Sequence, residues 1–77
     1  MNNKLYTFVV NGKDEVFVGC DTGVFRSRDY GDKWVLHNQG LSNPLVHSLV
    51  LTKSGEMFAG TGGGVFRSTD GGETWTR

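Results

Sequence analysis

The stretch Gly23-Val24-Phe25-Arg26-Ser27 returns 41 residues later as Gly64-Val65-Phe66-Arg67-Ser68. Self-similarity at a period of about 20–50 residues marks a repeat architecture, so this offset bears on the whole chain. Carried outward in one register, Phe17, Gly19, Asp29, Gly31 and Trp34 meet Phe58, Gly60, Asp70, Gly72 and Trp75. Over 17–34 against 58–75, ten of eighteen residues are identical, and no gap is needed from 5 to 34. Further upstream only the alternation is kept, with Leu5-Tyr6-Thr7-Phe8-Val9-Val10 facing Val46-His47-Ser48-Leu49-Val50-Leu51. Two copies of one unit account for nearly all of the 77 residues.

Within each unit, short runs rich in Val, Phe, Leu and Trp are bounded by Gly, Asn, Asp and Ser, the pattern of strands and turns. The first unit predicts strands near 5–10, 15–20, 23–28 and 33–36, and the second near 46–51, 56–61, 64–68 and 74–77. Asn11-Gly12-Lys13-Asp14 and Lys53-Ser54-Gly55 are tight-turn material. Apolar residues never recur at helical spacing over a useful window, so no helix is expected. The expected fold class is all-β, with two four-stranded antiparallel sheets of the size of β-propeller blades. The first spans 1–36, the second 46–77, and 37–45 connect them.

The segment Ser68-Thr69-Asp70-Gly71-Gly72-Glu73-Thr74-Trp75 resembles the Asp-box (BNR) motif, S-x-D-x-G-x-T-W. That β-propeller family includes sialidases, sortilin-type receptors and photosystem assembly factors. The first copy, Ser27-Arg28-Asp29-Tyr30-Gly31-Asp32-Lys33-Trp34, departs from the motif only at Lys33, where Thr is expected. The resemblance implies a hairpin at the periphery of each blade, away from the binding face. Turn chemistry gives every motif residue a structural task. Asp29 and Asp70 can accept hydrogen bonds from backbone N–H groups just ahead of them. Gly31 and Gly72 can take positive φ. Trp34 and Trp75 would each bury a large ring, about 3 kcal/mol apiece on area grounds. Ser27, Ser68 and Thr74 complete the structural set, and Lys33 predicts a looser first hairpin. Neither catalysis nor metal binding is expected of these residues.

The bulk numbers narrow the possibilities for how so short a chain is stabilised. A domain of this size buries only about 60% of its unfolded surface and commonly needs a disulfide, a metal or a partner. The lone Cys20 cannot bridge within the chain, and with His37 and His47 it falls short of zinc-ligand spacing, so no cofactor is expected. Association remains. Eight basic residues balance eight acidic ones, which argues against nucleic acid or an anionic membrane as partner. Met1-Asn2-Asn3-Lys4 leads straight into an alternating segment, so no signal peptide is visible. A cytoplasmic chain and a piece of a longer exported protein both fit.

Two blades share one interface and leave two apolar faces bare, whereas repeat stacks usually need three or more units. The expectation is a head-to-tail cyclic homo-oligomer, three chains giving six blades and four giving eight. A natural chain, a trimmed propeller fragment and a designed building block all satisfy it. Ligand binding, if present, is expected where the second-to-third-strand turns and the blade connection meet. That face holds Asp21, Thr22 and Thr61 with His37, Asn38 and Gln39; Tyr6 and His47 occupy equivalent first-strand positions along the channel. Such polar and aromatic residues suit a glycan or a small polar ligand. The function expected is a non-catalytic scaffold or binding module, with a sialidase-like hydrolase fragment or a lectin propeller as the alternative. Resemblance to sialidases would imply an arginine cluster and a Tyr nucleophile. Yet Arg26 and Arg67 are repeat-equivalent, and Tyr30 lies in the Asp-box turn.

Overall fold

Alternating apolar residues between tight turns make hairpins, and the chain forms two sets of them. The computed structural model describes residues 4–42 and 45–77, with seven strands and no helix among them. In the first sheet, β1 (Leu5–Val10), β2 (Val16–Cys20), β3 (Gly23–Ser27) and β4 (Val35–Leu36) lie side by side in chain order, all antiparallel. The second sheet repeats this with β5 (Val46–Leu51), β6 (Met57–Thr61) and β7 (Gly64–Ser68). Its expected fourth strand is reduced to one bridge, where Arg67 and Thr76 exchange hydrogen bonds of 2.6 and 2.8 Å. The sheets therefore have four and three strands, not four each. The physical reason is that Thr74 N–H goes to Asp70 and Trp75 N–H to the Gln39 carbonyl, so neither can join the ladder. In the first sheet, Asp29 takes Lys33 N–H and shortens the expected 33–36 strand from its start.

The repeat holds at the level of register. Leu5, Thr7, Phe8, Val9 and Val10 pair with Cys20, Gly19, Val18, Phe17 and Val16, and every pair recurs 41 residues on. Both first strands carry a bulge at the same point, leaving Tyr6 and His47 as the extra residues. The first hairpins also close alike with different chemistry. Asn11 Oδ1 accepts from Lys13 and Glu15 N–H, while Thr52 Oγ1 accepts from Glu56 N–H. At the next turn, Thr61 Oγ1 donates to Gly64 carbonyl at 2.8 Å, and the Cys20 thiol donates to Gly23 carbonyl at 3.3 Å. Cys20 does the work of a threonine hydroxyl, more weakly.

Side chains alternate across a strand, so the register assigns each residue to one of two faces. One face of the first sheet carries Val9, Phe17, Gly19, Val24 and Arg26; it packs on the opposite kind of face of the second, with Leu49, Met57, Ala59 and Phe66. Val46 and Trp75 complete this core. Strands β1 and β2 both lie against β5. The join is close at Gly19, where an added Cβ would stand 2.7 Å from Val46 Cγ1 and 3.1 Å from its carbonyl oxygen. The sheets stack front to back, as pages do, and do not meet as mirror images.

Candidate functional site

The two Ser-x-Asp hairpins are nearly superposable networks. Ser68 Oγ accepts from Gly72 N–H at 2.9 Å and donates to Asp70 Oδ1 at 2.8 Å, which also accepts from Thr74 N–H at 2.9 Å. Ser27 does the same with Gly31 and Asp29 at 2.8 and 2.9 Å, and Lys33 N–H stands in for Thr74. Gly31 and Gly72 have φ of 98° and 86°, with Tyr30 and Gly71 just before them also positive at 60° and 71°. The serine hydroxyls, buried in both turns, are the relay that spacing alone does not reveal. The Lys33 departure costs one bond, because only Thr74 adds a hydroxyl to Asp70 Oδ2, at 2.5 Å. That hydroxyl, then Thr74 N–H and Ser68, hold the Asp70 carboxyl down at about 2. Lys33 N–H and Ser27 lower Asp29 as well. Asp70 spends both oxygens on the turn, and Asp29 spends Oδ1.

The residues expected on a ligand face fall into two groups. Asp21, Thr22, Gln39, Tyr6 and His47 are exposed, with Lys4 Nζ 5.7 Å from the centre of the Tyr6 ring. The others are engaged by the fold. Asn38 Oδ1 accepts from Val24 N–H at 3.1 Å and its Nδ2 donates to Thr22 carbonyl at 2.7 Å, clamping the turn between β2 and β3. Thr61 is buried and closes the equivalent turn. His37, expected on the ligand face, is instead buried and extends the first sheet, its N–H donating to Val24 carbonyl at 2.7 Å. Its carbonyl accepts from Trp75 Nε1 at 3.0 Å, while its own Nε2 has no hydrogen-bond partner among the described residues. Burial, and next the nearby Arg26, push the His37 pKa down. Asn43 and the chain start, Met1 to Asn3, lie outside the described residues.

A cleft of about 590 Å³ lies at the other end, among the Asn11–Glu15, Lys53–Gly55 and Gly71–Glu73 turns. Arg26 crosses it from one sheet to the other. Its Nη1 donates to Gly71 carbonyl and its Nη2 to Glu73 Oε2, both at 3.5 Å. Glu15 receives Arg28 at 3.1 Å, and the Asn11 amide lowers its pKa first. Four basic side chains, Lys13, Arg26, Arg28 and Lys53, stand here with three acidic ones, Glu15, Asp70 and Glu73. Among the described residues, no three His, Cys, Asp or Glu side chains converge as metal ligands would.

More distinctive are the two outward sheet faces. The total accessible surface, 4643 Å², is close to the roughly 4650 Å² expected of a folded chain of this mass. Its composition is unusual. Leu5, Phe8, Val10 and Leu36 are exposed on the outer face of the first sheet, Phe8 by 68%. On the outer face of the second, Val50 and Val65 are exposed, Val65 by 61%, beside the exposed Arg67. Monomeric proteins seldom leave contiguous apolar patches of this kind uncovered. Comparison of the chain with protein-family descriptions, with curated proteins and with solved structures finds no match.

Proposed function

We propose that this chain is a two-blade segment of the Asp-box propeller type, a non-catalytic scaffold that completes its stack with copies of itself, head to tail. One observation carries the reading: the two open faces are the repeat counterparts of the two faces already packed together. Val24 meets the second sheet, and its counterpart Val65 faces solvent. Leu49 and Phe66 meet the first sheet, and their counterparts Phe8 and Phe25 lie on its outer face. A second copy can therefore place its first sheet on this second sheet as the two pack within one chain. Such a heterologous contact repeats until it closes, and a sheet twist typical of propellers favours rings of three or four chains.

The turn aspartates support a scaffold over a hydrolase, because the hairpin engages both oxygens of Asp70 and Oδ1 of Asp29. Arg26, the better placed of the two repeated arginines, is likewise committed to Gly71 and Glu73. A ring would array Tyr6 and His47 around its axis and so offer a polar channel for a glycan or small polar ligand. Light scattering coupled to size exclusion tests the reading. It expects three or four times the 8.5 kDa chain mass, and a monodisperse 8.5 kDa species at tens of micromolar would sink it. Turnover of a fluorogenic sialoside would overturn the non-catalytic part.

A further inference from the structure

We infer that copies of this chain are held in register by an ion pair between Arg67 of one chain and Asp32 of the next. This rests on the head-to-tail reading above and adds to it the residues that choose the partner face. Within the chain, Arg26 sits at the edge of the interface with its side chain only 11% exposed, reaching Glu73 and the Gly71 carbonyl of the following sheet. Shifting donor and acceptors by the 41-residue repeat turns Arg26 into Arg67, Gly71 into Tyr30 and Glu73 into Asp32. These counterparts do not meet in one chain. Arg67 is exposed on the open face of the second sheet, and Asp32 is exposed in the turn that borders the open face of the first. Among the described residues neither side chain has an ion pair or side-chain hydrogen bond; Arg77 lies near Phe66 and Gly64 but supplies no carboxylate side chain there.

The pair answers a problem that the apolar faces alone leave open. A flat apolar sheet accepts neighbours in several registers and orientations, because its side-chain period is two residues. Charges at the rim select among these and steer the encounter more than they add affinity. Two second-sheet faces meeting each other would bring two Arg67 side chains to one interface without an Asp32. Only the head-to-tail arrangement supplies the opposite charge, so the same residue that favours a ring disfavours a two-fold dimer. Asp32 is one methylene shorter than Glu73, so the contact between copies is reached by extension of the Arg67 side chain.

Four proteins test it: the parent, Arg67→Glu, Asp32→Arg and the double variant, followed by sedimentation equilibrium and native mass spectrometry, with far-ultraviolet circular dichroism to check folding. Both side chains are exposed and make no ion pair among the described residues, so every variant is expected to fold. Each single reversal should weaken subunit association about tenfold or more, and the double variant should restore it to within about threefold. A parent that assembles while both single variants assemble equally tightly overturns the ion pair and leaves the ring standing. A monomeric parent overturns both.

Discussion

Replacing Gly19 and Gly60, in turn, by alanine separates what holds one chain together from what joins two. The two glycines are repeat counterparts on equivalent strands, and their surroundings differ only in what covers them. A Cβ at Gly19 would stand 2.7 Å from Val46 Cγ1, 2.8 Å from Thr7 Cγ2 and 3.1 Å from the Val46 carbonyl oxygen. Val46 is fully buried and β-branched, so it cannot turn aside, and the carbonyl belongs to β5 itself. The sheets must part locally. Overpacking of this kind costs about 1–3 kcal/mol, which for a domain of this size lowers the melting temperature by about 4–8 °C per kcal/mol. At Gly60 the obstacles are the Ser48 hydroxyl and one edge of the exposed His47 ring, and both can rotate away. Gly60→Ala should therefore change the stability of a single chain by no more than about 0.5 kcal/mol. In the proposed head-to-tail stack, however, Leu5 of the next copy would take the place over Gly60 that Val46 holds over Gly19. Thermal unfolding by tryptophan fluorescence at two protein concentrations about a hundredfold apart reads the difference, since association makes stability concentration-dependent. Gly19→Ala should lose stability at both concentrations, and Gly60→Ala only at the higher. Equal losses for the two variants at the lower concentration would refute the reasoning.

Ser68→Ala should cost about 1–3 kcal/mol, because it strands the buried Gly72 N–H; Ser27→Ala should cost less, since water reaches the exposed Gly31; urea unfolding measures both. Tyr30 holds φ of 60°, a region costly for most side chains and mild for asparagine, so Tyr30→Asn should raise stability by a few tenths to about 1 kcal/mol in the same assay. The folded-state pKa of His37 is depressed by burial and by Arg26, so the unfolded chain binds its proton more readily. Its contribution is complete above about pH 6.5, the ordinary histidine value, and shrinks as pH falls below it. Urea midpoints between pH 8 and pH 5 should show that decline, and His37→Gln should flatten it.

By itself, the sequence determined everything that depends on neighbours along the chain. The 41-residue offset contained the hairpin order and the Ser-x-Asp turns, because these are built from hydrogen bonds within a few residues or within one hairpin; the paired bulges at Tyr6 and His47 came from the structure. Even Cys20 for Thr61 and Thr52 for Asn11 keep the turn, since the thiol still donates to the same carbonyl and the hydroxyl still accepts from the same backbone N–H. Only the tertiary structure decided which copy of each residue is buried. Phe17 and Val24 lie in the core while Val65, identical to Val24 by the repeat, faces water, and Trp75 is buried where Trp34 is half-exposed. The burial of His37 was unreadable for the same reason, as its backbone carbonyl is met by the Trp75 indole, 38 residues away. The repeat makes the two units chemically alike. Packing one on the other makes them physically unlike, because burial belongs to a pair of faces and a chain of two sheets has only one such pair to fill.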